Sequence, residues 1–110
     1  MAEHRVCRLN DIALEVPKVV RLEGVGILVC RDAQNTVFAF ENKCTHQDLP
    51  LHKGPWDPST ACLGCPAHGA VFSLREEGRA VVGPAVVPLE LFQVRIVDED
   101  GTPVVYVSVP

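Results

Sequence analysis

Two short runs carry side chains able to do chemistry: Cys44-Thr45-His46 and, eighteen residues further on, Cys65-Pro66-Ala67-His68. Each offers one thiolate followed by one imidazole, C-x-H in the first and C-x-x-H in the second, a soft to borderline donor set that holds iron or zinc. Zinc knuckles commonly pair ligands of one kind, whereas two mixed runs can place both thiolates on an inner metal and both imidazoles on an outer one. Iron and zinc both stay open at this level. Cys62 stands three residues before Cys65, and the resulting C-x-x-C could suggest a redox pair, but no βαβ pattern surrounds it. Cys62 is expected as a buried thiol on a strand leading into the second run, with Cys7 and Cys30, in short β-like runs, as small core residues. His4 and His52 read as surface residues, His52 close enough behind the first run to affect an outer metal. Trp56 reads as packing, and Glu76 with Glu77 as a solvated turn.

The elements that must position these runs show in the distribution of valine. Valine is frequent up to Val37 and again from Val71, but neither valine nor isoleucine occurs between Phe38 and Ala70. That middle stretch collects Pro50, Pro55, Pro58 and Pro66 with Gly54, Gly64 and Gly69, residues that favour turns and irregular backbone. The flanks are rich in strand formers: Lys18 to Leu22, Gly26 to Arg31 and Thr36 to Glu41, the last two joined as a hairpin through Asp32-Ala33-Gln34-Asn35. Phe92, Val94 and Ile96, and then Val105, Val107 and Val109, alternate with polar or half-polar neighbours at the period of two expected of half-buried strands. Asp98-Glu99-Asp100-Gly101 supplies the turn between them. Helical periodicity amounts to one turn around Asn10 to Leu14. The pattern predicts a small all-β fold with a loop-built site at one end.

Length and charge exclude several classes of function. A chain of 110 residues makes one domain, 1–110, because two cores would each bury too little apolar surface. Its composition, 47% hydrophobic and 22% charged, is that of a chain that folds. A net charge of −4 with singly scattered Lys and Arg lacks the footprint that a phosphate backbone requires, so no nucleic-acid partner is expected. The N-terminal residues do not form a signal peptide. The longest apolar stretch, Val81 to Leu89, is too short for a membrane span and contains Gly83, Pro84 and Pro88. Five cysteines without a secretion signal suggest a reducing, cytoplasmic setting and no membrane.

With these residues in view, the chain resembles a Rieske-type 2Fe-2S ferredoxin over essentially its whole length. The resemblance rests on the C-x-H and C-x-x-H-G runs, with Gly69 after the second histidine, and on Gly83-Pro84-Ala85, which is similar to the proline-containing loop that covers the cluster. It implies an antiparallel β-sandwich with a loop-built cluster-binding subdomain over about 42–73. It also implies one 2Fe-2S cluster, with Cys44 and Cys65 on the inner iron and His46 and His68 on the outer iron. No catalytic residue follows, since such a chain carries one electron and is not itself an enzyme. The implied partners are a flavin-dependent NAD(P)H reductase and a terminal oxygenase or hydroxylase, docking transiently at the His46/His68 edge.

Departures within the family sharpen that expectation. Respiratory relatives bridge two extra loop cysteines, and Leu49 and Ala67 stand at the matching positions. The same relatives aim a serine and a tyrosine hydroxyl at the cluster, and Ala70 and Phe72 stand there instead. Fewer hydrogen bonds to sulfur lower the reduction potential, so the resemblance is to low-potential carriers and not to quinol oxidisers. Two alternatives remain: a small Rieske subunit of a larger oxidoreductase such as a nitrite reductase, and a zinc-stapled structural β-domain.

Overall fold

The computed structural model describes residues 2–45, 49–66, 69–82 and 87–110. Three antiparallel sheets account for its architecture. The first orders as β1-β10-β9, from Ala2–Arg8, Thr102–Val109 and Gln93–Glu99. The second orders as β2-β3-β4, from Lys18–Leu22, Val25–Arg31 and Val37–Glu41. The third orders as β5-β6-β7-β8, from Trp56–Asp57, Cys62–Gly64, Val71–Ser73 and Arg79–Val82.

The second sheet lies between two cores, and the alternation of a strand explains how. Successive side chains of a strand point to opposite faces, so Ile27 and Val29 of β3 join one core while Leu28 and Cys30 join the other. In β4, Val37 and Ala39 face the first core and Phe40 the second. A strand covered on both faces has no polar alternation, and β3 accordingly reads Val-Gly-Ile-Leu-Val-Cys.

The two cores differ in composition. The core shared with the first sheet is built on β-branched residues, among them Ile12, Ile27, Val29, Val37, Val105, Val107 and Val109. The core shared with the third sheet contains neither valine nor isoleucine and packs Leu28, Phe40, Leu51, Leu63, Phe72, Leu74 and Leu89 with alanines and cysteines. The valine-free stretch is thus a second packed core as well as a set of loops.

The predicted strands stand where the pattern puts them, with shifted edges. The β9–β10 turn narrows to Asp100-Gly101, both at positive φ (55° and 86°), because Asp98 and Glu99 pair with Pro103 and Thr102. The expected helical turn is a short 3-10 segment at Leu9–Asp11, earlier than the pattern suggested. Strand β1 extends the short β-like run expected at Cys7 back to Ala2. Its Glu3 and Arg5 form the solvent face and pair with Arg95 (2.7 Å) and Glu99 (3.1 Å) across β10. Its first partners, Ala2 and Val109, put the two ends of the described chain side by side.

The second and third sheets are also tied by charge. Asp32, fully buried, accepts the backbone N–H groups of Gln34 and Thr36 on Oδ1 (2.9 Å each) and faces Arg75 Nε at 3.2 Å with Oδ2. Arg75 in turn donates to the Ser59 carbonyl (2.9 Å). A turn of β3–β4 is thereby fastened to the turns of the third sheet.

Candidate metal centre

Cys44 follows the end of β4 by three residues, and Cys65 follows β6 directly. Each heads a short closed loop. The Cys44 N–H donates to the Leu49 carbonyl (2.8 Å), and the Cys65 N–H donates to the Ala70 carbonyl (2.7 Å). The second loop turns through Gly69 at φ +72°, a left-handed conformation that costs glycine nothing. The two thiols are 1% and 2% exposed and belong to one core, with Leu51, Leu63, Ala70 and Phe72. His46, Ala67, His68 and Gly83-Pro84-Ala85 lie outside the described residues.

The two loops approach each other through backbone. A Cβ at Gly54 would stand 1.8 Å from the Gly64 carbonyl oxygen, and one at Gly64 would stand 2.8 Å from Pro55 Cγ. Gly64 N–H donates to the Pro55 carbonyl (2.8 Å), so the segment returning from the first loop is pinned to the strand entering the second. The sequence put glycines there as turn formers, but Gly54 is required by close approach.

Side chains that the spacing did not flag hold the first loop. Asn42 Oδ1 accepts the N–H groups of Leu51 (2.7 Å) and His52 (2.9 Å). The Thr45 hydroxyl donates to the Val87 carbonyl (2.6 Å), tying the first loop to the segment before Pro88. No periodicity or ligand spacing marks such residues, since their partners are backbone groups brought near by folding.

The other cysteines sit largely as expected. Cys30 is fully buried and Cys7 nearly so, and burial pushes both thiols up from the usual range, Cys30 strongly. Cys62 lies on β6 but is half-buried, because its neighbour Leu63 takes the inward direction and the Cys62 thiol is left 3.8 Å from the Thr60 carbonyl. All five cysteines are free of disulfides. His52 is half-buried rather than on the surface, its ring against Asn42. His4 faces Glu23 at 2.7 Å. Trp56 packs against the core of Cys44 and Cys65 while its indole N–H donates to the Leu14 carbonyl (2.8 Å). Glu76 and Glu77 are exposed at a turn, as expected.

The donor set fits an iron–sulfur group. Two buried, unbridged thiols share one core at the heads of two closed loops, as an inner thiolate pair would require. At Ala70 and Phe72, both fully buried, neither side chain offers a hydroxyl to that region.

Comparison with known proteins agrees with this architecture. The biphenyl 2,3-dioxygenase ferredoxin component of Rhodococcus jostii is 32% identical over 102 residues, covering 91% of this chain and 90% of its own. The cytochrome b6-f complex iron-sulfur subunit of Chlorobaculum tepidum is 35% identical over 99 residues, covering 90% of this chain and 50% of its own. The chain spans half or less of the length of the first curated relatives it matches, from 12% to 50%. Among solved structures, the complex of reduced oxygenase and oxidized ferredoxin in carbazole 1,9a-dioxygenase contains a chain 29% identical with TM-score 0.79, over 96% of this chain and 100% of that one. The model of the Rieske [2Fe-2S] domain matches residues 2–95. The chain therefore belongs to the Rieske [2Fe-2S] domain family, whose cofactor is a cluster of two irons and two sulfides.

Proposed function

We propose that this protein is a one-electron carrier, holding one 2Fe-2S cluster through Cys44, His46, Cys65 and His68. In this reading it accepts electrons from a flavin-dependent NAD(P)H reductase and delivers them to a terminal oxygenase or hydroxylase. The observation that carries the reading is the burial of Cys44 and Cys65 in one core, at the heads of two closed loops. The full-length likeness to a dioxygenase ferredoxin component supports a carrier, and the solved ferredoxin–oxygenase complex supports an oxygenase as acceptor.

Bound there, the cluster supplies a one-electron couple, its potential raised relative to an all-cysteine cluster by the two neutral imidazoles. The chain's own residues set the surroundings of that couple. The burial of Cys44 and Cys65 keeps water from the thiolate side. Ala70 and Phe72 withhold hydroxyl donors that would stabilise the more negative, reduced state. His46 and His68 form the edge at which a partner docks, and the cluster-binding part covers about 42–73 of the single domain 1–110. Free thiols throughout fit a reducing, cytoplasmic setting.

Likeness to the b6-f subunit raises quinol oxidation as a second reading. Leu49, Ala70 and Phe72 oppose it, since neither the loop disulfide nor the two hydroxyls of such subunits can form. Electron paramagnetic resonance of the reduced protein, together with its reduction by a flavin NAD(P)H reductase, tests the assignment. A Rieske-type signal and fast reduction are expected. A colourless protein with bound zinc, or a stable stoichiometric complex with a large reductase subunit on purification, would overturn it.

A further inference from the structure

The chain leaves β4 at Asn42, runs through Cys44 and Thr45, and returns at Leu51 and His52. One side chain closes the neck of this excursion. Asn42 Oδ1 accepts both the Leu51 N–H (2.7 Å) and the His52 N–H (2.9 Å), while Asn42 Nδ2 stands 3.0 Å from His52 Nδ1. The backbone of Asn42 is itself fixed, its N–H donating to the Gly26 carbonyl at the start of β3 (2.9 Å).

The chemistry of the amide determines the remaining partner. An oxygen engaged by two N–H donors leaves only the NH2 to face the ring, and an NH2 group donates but does not accept. His52 Nδ1 is therefore the acceptor, and the ring carries its proton on Nε2. Asn42 thus grips two consecutive backbone groups and one side chain of the returning strand of the loop. The first of those residues, Leu51, is fully buried in the core that contains Cys44 and Cys65. What fixes the Leu51 backbone fixes a member of the core that holds both cysteines.

We propose that Asn42 is a positioning residue for the iron–sulfur cluster, clasping the neck of the loop that bears Cys44 so that its thiol is presented in one place. The inference rests on Cys44 being a ligand. Replacing Asn42 by Ala removes the one oxygen that accepts both N–H groups and leaves the Leu51 N–H buried without a partner, a loss that propagates to the loop. Asn42→Asp keeps one oxygen as acceptor of both N–H groups, and its second oxygen is met by His52 once the ring carries a proton on Nδ1.

The test compares release of the cluster to a chelator, followed by visible absorbance, in the wild type, Asn42→Ala, Asn42→Asp and Val105→Ala. The last opens a cavity in the other core, where Val105 is fully buried, and so reports loss of global stability alone. Asn42→Ala should release its cluster about tenfold faster, the size expected from one unsatisfied buried donor, with Asn42→Asp close to the wild type. Hydrogen exchange of a peptide covering 49–54 should speed up in Asn42→Ala and not in Asn42→Asp. Val105→Ala, with an equal or larger fall in thermal midpoint, should release at nearly the wild-type rate. Release from Asn42→Ala at the wild-type rate, failure of Asn42→Asp to rescue it, or equally fast release from Val105→Ala would each defeat the positioning role while leaving the carrier reading intact. A wild type that binds no cluster defeats both.

Discussion

Ala70 and Phe72 are fully buried in the same core as Cys44 and Cys65, so a hydroxyl added at either position is delivered into a dry environment, where a hydrogen bond counts for most. The wild-type potential is expected near the bottom of the Rieske range, roughly −150 mV on a scale of about −150 to +300 mV. Ala70→Ser and Phe72→Tyr should each raise it, because a donor to sulfur favours the more negative oxidation state. Protein-film voltammetry checks both, and a wild-type value above about +100 mV on that scale would count against a low-potential carrier. At the proposed ligands, Cys44→Ser and Cys65→Ser should give colourless protein, whereas Cys62→Ser should keep the visible spectrum of the parent. The reverse result at positions 62 and 65 would reassign the ligand. That Cys44 and Cys65 head loops was legible, because the Pro- and Gly-rich, valine-free stretch around them marks irregular backbone. Asn42 and Thr45 were not, since a side chain that grips a distant backbone carries no local signature.

Strands were readable in proportion to how far their residues alternate or branch. Lys18–Leu22 was predicted to the residue, and β3, β4, β9 and β10 within a few positions, because β-branched runs and a period of two are signals local to the chain. Only the part of β1 at Cys7 was readable, because the charges of Glu3 and Arg5 look like those of a solvated terminus until their partners on β9 are known. Strand β6 was expected only as the strand carrying Cys62 into the second run and β5 not at all, since three and two residues are too short for any period and rely on Leu63 and Trp56 in place of valines. What these short strands lack in length is made up by contact, above all at Gly54. Gly54→Ala would press a methyl group into the Gly64 carbonyl, and we expect it to lower stability by about 3 kcal/mol, as severe overpacking does. Urea denaturation of the loaded protein measures it. A change within experimental error would mean that the two loops separate easily.

Two cores of different composition on either side of one sheet give the molecule two parts that respond differently to loss of the metal. The core of Leu51, Leu63 and Phe72 includes Cys44 and Cys65, while that of Val29, Val105 and Val107 does not. Removing iron should therefore loosen the third sheet first, as a local opening below the free energy of global unfolding. Hydrogen exchange on iron-stripped protein should show lost protection over β5 to β8 with β1, β9 and β10 still protected, and uniform loss would show a single cooperative unit. The pairing of Ala2 with Val109 bears on how such a molecule can be built into others. Ends that lie next to each other need only a brief tether to a host, so the whole unit can be spliced into a surface turn of a larger polypeptide without stretching either side. A circular permutant, with the old ends joined by a few glycines and serines and new ends cut at the Glu23-Gly24 turn, should accordingly fold and bind its cluster. On this geometry the unit is a portable cassette whose seam lies on the sheet of β1, β10 and β9.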